Sequence, residues 1–425
     1  MEARLPPDGA DTAAWPVTSI ERAGIYTTCG FLNDDEADRV HGIVSSTHVR
    51  DGRILSPRNG DREPWNSPHG RVILRSGDLA VVLVRRVGDS APVTAEHAGW
   101  TATRSIGIIR TEPHLAEWLR IWLQTPTARA WIDGEVTAHV EPTVSIRALR
   151  DMLFPLPPQD VITAYQRAIG LIEELIAHHE DTARLAMETA DALHADWAST
   201  VPPGAEHLLA DVAMLRTGRG SERSLPPQTT EPTVDVITPS DLFDLPVPYV
   251  ETFRLKGPEE VGGRCPPGGR CPPGTLMLST RPDGAHLAVT HRPATPLRSV
   301  VAVWPTEEED RWWLLHELRS RSGDITQRTQ GRNNREISAR ALKGLKVTWP
   351  DAFTRAEFHV AADPLHAVAR HLVSRIATLR ALRDAVLRDI SAKAGVLREP
   401  EEPEPRSPGT PPLTAVLAPR RKGGP

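Results

Sequence analysis

Four landmarks recur in the same order along this 425-residue chain, each offset by 193 to 197 residues. Gly77-Asp-Leu-Ala-Val-Val-Leu is echoed by Gly274-Thr-Leu-Met-Leu, and Arg104-Ser-Ile-Gly-Ile-Ile109 by Arg298-Ser-Val-Val-Ala-Val303. Trp118-Leu-Arg-Ile-Trp-Leu123 returns as Trp313-Leu-Leu-His-Glu-Leu318, and Val144-Ser-Ile-Arg-Ala-Leu-Arg150 as Ile337-Ser-Ala-Arg-Ala-Leu-Lys343. The last match runs on without a gap to Pro157 and Pro350. Fixed order at near-constant offset points to a domain used twice, and two copies are too few for a solenoid. The length agrees with two or three domains.

Each copy reads as α+β. Val81-Val-Leu-Val84 and Ile106-Gly-Ile-Ile109 are short apolar runs of strand type, and Leu115–Leu123 has apolar residues at helical spacing. Ser145 and Ser338 stand where N-caps belong, just before short helical turns. A long helix is expected after each copy. In the first, Ile169, Ile172, Ile176, His179, Ala183, Ala186, Ala190, Leu193 and Trp197 alternate in steps of three and four, the pattern of a coiled-coil seam. In the second, from about Leu365, the stripe is Leu365, Val368, Leu372, Ile376, Leu379, Leu382, Val386 and Ile390. Rods of roughly 50 and 40 Å follow from the helical rise. The expected domains are 1–158 and 238–360, with spacer helices over 159–199 and 361–394, a linker over 200–237 with one short helix around Ala205–Leu215, and a disordered Pro-, Glu- and Arg-rich tail over 395–425.

Composition narrows the function. Met1–Pro16 has no apolar leader and no run of 18 apolar residues occurs, so a soluble cytoplasmic protein with no membrane partner is expected. Three cysteines make no disulfide framework, and Cys265 and Cys271, in a repeated Gly-Gly-Arg-Cys-Pro-Pro-Gly, lack zinc spacing. The adjoining His178 and His179 are on one helix but not one face, so they read as solvated or seam residues. No phosphate-binding loop, Rossmann turn, adenine-methyltransferase motif, H-E-x-x-H or G-x-S-x-G is present, so a non-catalytic chain is expected.

A net charge of −5 excludes a protein that coats nucleic acid indiscriminately, but not a local basic surface. Between Arg311 and Lys346 nine basic residues face three acids, around the polar run Thr326-Gln-Arg-Thr-Gln-Gly-Arg-Asn-Asn-Arg335. Arginine forks onto guanine O6 and N7, and Asn or Gln pairs with adenine N6 and N7. Gln327, Arg328, Gln330, Arg332, Asn333, Asn334 and Arg335 are therefore expected to touch double-stranded DNA. The first copy has a more diluted counterpart, with Arg53, Arg58, Arg62, Asn66 and Arg71. Two unlike reading domains held apart by helices predict an asymmetric site in two halves. The long helices and overall acidity leave a coiled-coil scaffold for protein partners as the competing reading.

Over residues 15–394 the chain resembles the specificity (S) subunits of type I restriction–modification systems. The resemblance rests on the ordered landmarks, on the helix start Gln166-Arg-Ala-Ile169 and on the closing helix Leu379-Arg-Ala-Leu-Arg-Asp-Ala-Val-Leu387. It implies two similar α/β target-recognition domains separated by two long antiparallel coiled-coil helices. It also implies docking onto two adenine-N6 methyltransferase subunits and, in a full system, a nuclease/translocase subunit. Those partners would supply the S-adenosylmethionine, magnesium and ATP chemistry, leaving this chain without a cofactor. A diverged subunit of a related phage-defence system is the neighbouring reading.

Overall fold

The computed structural model describes residues 15–32, 40–50, 52–55, 63–64, 72–137, 141–202, 204–218, 234–243, 245–250, 254–256, 270–281, 285–328 and 336–395. It divides into two units: residues up to Glu173 with those from Ala381 onward, and Glu174–Arg380. The tail beyond 395 lies outside the described residues.

In the first unit a sheet is built from β1 (Tyr26–Cys29), β2 (Leu79–Val82), β3 (Ser90–Pro92) and β4 (Ile106–Arg110), in spatial order β1-β4-β2-β3. All neighbours are antiparallel. Strand alternation sorts its side chains. Leu79, Val81 and Ile109 pack against α1 (Pro113–Gln124) and α2 (Ile146–Asp151) through Trp118, Trp122 and Leu149. Ala80, Val82, Ile106 and Ile108 pack on the opposite face with Val44, Val49, Ile54 and Leu74. The chain enters and leaves this frame side by side, Val17–Ser19 pairing antiparallel with Leu153–Pro155. From there it runs into the 42-residue helix α3 (Gln159–Thr200).

The second unit repeats this plan. Its sheet has β5 (Ala213–Thr217), β6 (Leu276–Ser279), β7 (Leu287–Val289) and β8 (Val300–Pro305) in the order β5-β8-β6-β7. Even the register agrees: Ile109 faces Thr27 and Leu79, and Val303 faces Leu215 and Leu276. Leu276, Leu278, Val301 and Val303 pack on α4 (Arg311–Ser320) and α5 (Ala339–Lys343), while Met277, Val300 and Ala302 pack on the other face. Glu206–Leu208 and Lys346–Thr348 form the entry and exit pair. Helix α6 (Ala352–Ala394) then closes the described chain.

The sequence landmarks have physical reasons. Gly77 and Gly274 turn into β2 and β6 with φ of +91° and +85°, where a side chain is strained. Trp118 Nε1 donates to Pro155 O and Trp313 Nε1 to Thr348 O, both at 2.8 Å, pinning helix to exit strand. Ser145 and Ser338 cap their helices by accepting from Ala148 N and Ala341 N at 3.0 and 3.1 Å. A further matched pair of glycines lies outside the four landmarks. At Gly30 a methyl group would overlap the backbone oxygen of Thr103, and at Gly218 that of Leu297. Gly30→Ala and Gly218→Ala should each cost roughly 3 kcal/mol or more, because the obstacle is backbone and cannot move aside. Urea unfolding of the full chain would measure this, and an unchanged midpoint would refute the close approach.

Two expectations are corrected. The stretch 200–237, expected to be a linker with one short helix, holds that helix at Leu209–Val212 but also contributes β5 and the strand Val234–Ile237 to the second unit. Helix α6 begins at Ala352 rather than near 361, because Pro364 lies inside it instead of marking its first turn. Its expected stripe holds in part: Ile376 and Ile390 are buried and Leu365, Leu372 and Val386 pack against the cores, but Val368 and Leu382 are about half exposed, while Phe358, Ala362, Ala369 and Val373 are buried beside the stripe. The seam on α3 falls where its spacing puts it, with Ile169, Ile172, Ile176, Ala183, Ala186 and Ala190 buried.

Within each unit α3 and α6 pack antiparallel. In the first, Ile162, Tyr165 and Ile169 meet Leu387, Ile390 and Ala394, and Tyr165 Oη donates to Asp389 Oδ2 at 2.5 Å. In the second, Ala183, Ala186, Met187 and Ala190 share a core with Phe358, Ala362, Ala369 and Val373, and Arg380 pairs with Glu180 at 2.9 Å. No helix among the described residues is long and apolar enough to cross a membrane.

A buried polar chain ties these helices to the second unit's core. Asp191 Oδ1 lies 2.6 Å from His316 Nδ1, His316 Nε2 lies 2.9 Å from His366 Nε2, and His366 Nδ1 lies 2.7 Å from Tyr249 Oη. Asp191 can only accept, so neutral imidazoles order the protons: Tyr249 donates to His366, His366 to His316 and His316 to Asp191. Trp312 stacks on His366 at 3.7 Å between centroids. Burial, reinforced by the neighbouring imidazole of His316, pushes His366 down to about 2 and His194 to about 4. Burial works to raise the Asp191 carboxyl, but the hydrogen bonds from His316 and Arg319 hold it well below its usual range. The unfolded chain binds protons on these imidazoles from about pH 6.5 downward and the folded one refuses them. Stability is therefore full above that pH and falls as the pH drops toward 4. The unfolding free energy from urea titrations should decline between pH 7.5 and 5 by on the order of 3 kcal/mol, and a flat profile would refute the neutral assignment.

Candidate nucleic-acid interface

The described part of the first unit's basic segment is a hairpin, Val49–Arg50 against Arg53–Ile54, with Arg50 opposite Arg53. Val49 and Ile54 are buried in the sheet core, so alternation turns Arg50 and Arg53 outward, where both are exposed. The turn is held from beneath. Arg86 donates from Nη2 to Ser46 O at 2.7 Å and to Val49 O at 2.8 Å. Ser46 N donates to Ser105 Oγ at 3.1 Å, and His48 Nδ1 accepts from Ser45 N at 3.1 Å. The result is a pair of guanidinium-bearing positions on a support tied to the sheet. Arg58, Arg62, Asn66 and Arg71 lie outside the described residues.

In the second unit, Gln327 ends the short helix Ser322–Gln327 and Arg328 follows it, both exposed. Gln330, Arg332, Asn333, Asn334 and Arg335 lie outside the described residues. The chain re-enters at Glu336, whose Oε1 accepts from Ser299 Oγ at 2.7 Å, and Ile337 N donates to Thr280 O at 2.9 Å. Both ends of the predicted reading segment are thus attached to the frame.

The charge count of the sequence overstates what is free to meet an anion. Arg319 pairs with Asp191 at 2.8 Å, Arg321 with Glu317 at 3.0 Å, Arg311 with Glu308 at 3.2 Å and Lys346 with Glu206 at 3.1 Å. These are folding contacts, whereas Arg328, Arg340 and Lys343 are exposed. In the first unit Arg85 pairs with Glu141 at 2.9 Å and Arg110 with Asp78 at 2.6 Å. A linear count cannot separate the two classes, since the acids that neutralise these arginines lie up to 128 residues away.

Exposed arginines at the ends of anchored segments can fork onto phosphate or onto guanine in a groove. Among the described residues no group of His, Cys, Asp and Glu is arranged to hold a metal ion. A cavity of about 500 Å³ in the second unit is lined by Asp191, His194, His316 and Arg319. Asp191 there binds both His316 and Arg319, so these polar groups serve one another.

Arg86→Ala should release the hairpin without unfolding the unit. Hydrogen bonds from a charged donor contribute about 1.5–3 kcal/mol each, reduced here by partial exposure. Amide exchange over Ser46–Leu55 should accelerate roughly tenfold or more while the global melting midpoint moves little. Unchanged protection there would show that Arg86 does not hold the segment.

No protein-family model matches the sequence, and no curated protein matches it either. Solved structures do. The S subunit of a type I restriction–modification system from M. genitalium aligns over 91% of this chain and 98% of its own, with 11% identity and a TM-score of 0.51. The HsdS subunit from Thermoanaerobacter tengcongensis covers 93% of this chain and 98% of its own, with 19% identity and a TM-score of 0.32. A chain from a structure describing complex assembly and conformational transition of the type I R-M system covers 93% and 100%, with 19% identity and a TM-score of 0.36. With its two units of one topology and its paired long helices, the chain has the fold of a type I restriction–modification S subunit.

Proposed function

We propose that this chain is a sequence-specific DNA-binding specificity subunit that selects the site at which partner enzymes act. The observation that carries the reading is the duplicated frame, identical in strand order and register, bearing segments of unrelated sequence in its two copies. A frame kept while its appendages diverge suits a protein that reads two different half-sites with one geometry. The recognised site is then asymmetric and in two parts. Arg53 in the first unit and the 327–335 segment in the second are the proposed contacts.

The chain itself is proposed to be non-catalytic. Adenine-N6 methyltransferase subunits, and in a complete system a nuclease subunit, are the proposed partners, and they supply the cofactors. Methylation mapping of the host with and without this gene tests the reading. Deletion should abolish one split adenine-methylated motif and leave others intact. A methylome unaffected by deletion and by overexpression would refute it. A scaffold that binds only protein would instead leave duplex DNA unbound at every salt concentration.

A further inference from the structure

Comparison of the two copies shows which retained residues folding explains and which it does not. The glycines at 77 and 274, the tryptophans at 118 and 313 and the serines at 145 and 338 each have a folding role in both units. Arg147 and Arg340 also match, but they occupy exposed positions on short helices, which arginine favours. Folding accounts for less of Arg104 and Arg298, which share no packing or capping role. They occupy equivalent turns just before β4 and β8, and both are exposed. Arg104 makes one side-chain hydrogen bond, from Nε to Phe31 O at 3.1 Å, and its side chain is otherwise exposed. Arg298 makes no hydrogen bond or ion pair among the described residues.

The backbone beneath both arginines is firmly fixed. The residue preceding each presses its carbonyl against Gly30 or Gly218. The serine following each fixes its backbone to the same neighbour, Ser105 O accepting from Leu83 N at 2.7 Å and Ser299 O from Thr280 N at 2.9 Å. The same serines hold the reading segments. Ser105 Oγ accepts from Ser46 N at the root of the Arg53 hairpin, and Ser299 Oγ donates to Glu336 at the root of the 327–335 segment. Each arginine thus stands on rigid backbone at the foot of its unit's reading segment, in both copies alike.

We infer that Arg104 and Arg298 are matched contacts to the DNA backbone phosphates, one for each unit. This rests on the DNA-binding reading and extends it. A contact common to two units that read different bases must touch what every sequence shares. Phosphate contacts set position and orientation, and base contacts specify. The reading segments carry the differences, and these two arginines carry what is constant.

The experiment uses the full chain and a 40-base-pair duplex of mixed sequence, with dissociation constants measured across a series of salt concentrations. Arg104→Gln and Arg298→Gln should each weaken binding several-fold, by the same factor on unrelated duplexes. Each should reduce the slope of log K against log salt by about 0.9, and the double variant by about twice that. Arg104→Lys and Arg298→Lys, which keep the charge, should keep the slope. Thermal midpoints equal to that of the parent chain exclude unfolding as the cause. A slope unchanged in either glutamine variant overturns the inference, as does weakening confined to one duplex sequence. Failure of the parent chain to bind any duplex overturns the DNA-binding reading itself.

Discussion

Both faces of each four-stranded sheet are covered, and the rest of the molecule follows from that. Alternate residues of β2 and β4 are buried toward the helices on one side and toward the Val44–Leu74 layer on the other. The second unit does the same with β6 and β8. A strand buried on both sides has no side chain left for a ligand. Any ligand contact is therefore left to the connections, which can vary without disturbing the core. The sheet supplies rigidity, and in the proposed function the Arg53 hairpin and the 327–335 segment carry what is specific.

The copies share a frame but not a core chemistry. Trp122 in the first unit and Glu317 in the second occupy equivalent helix positions, and both reach the exit strand. Trp122 Nε1 donates to Leu153 O at 2.9 Å, while Glu317 Oε1 accepts from Thr348 N at 2.7 Å. Beside them, the first unit buries Arg120 between Glu117 and Glu173, where the second has its imidazole chain. Removing one member of either network would strand a buried polar group, which costs more than the bond itself contributes. The two units are thus locked into different solutions to one packing problem, one built on charge pairs and the other on neutral imidazoles.

Much of this frame was legible in the residues. The four landmarks mark positive-φ turns, indole anchors and helix caps, because those roles admit few residue types. The α3 seam was legible for the same reason, since small and β-branched residues recur there at one spacing. The α6 seam is legible only in part, at Ile376 and Ile390, because apolar residues occupy two adjoining stripes and only the partner's shape decides between them. Strands β5 and Val234–Ile237 read as linker in the sequence, because turn-forming residues surround them and the runs are short. The role of Arg86 was invisible, since nothing local distinguishes an arginine that binds a carbonyl from one that meets a phosphate. Gly30 and Gly218 had no signal in spacing, as their offset of 188 lies outside the 193–197 of the landmarks.

The pairing of entry and exit strands has a wider consequence. Thr18 lies opposite Phe154, and His207 opposite Val347, so each unit begins and finishes at one doorway. A fold whose two ends meet can be cut elsewhere and rejoined there, or lifted out whole and set into another host chain, because the doorway keeps its shape whichever segment passes through it. Recombination between genes at these two strands would exchange an intact cassette, giving a new combination of halves in a single step while leaving the long helices untouched.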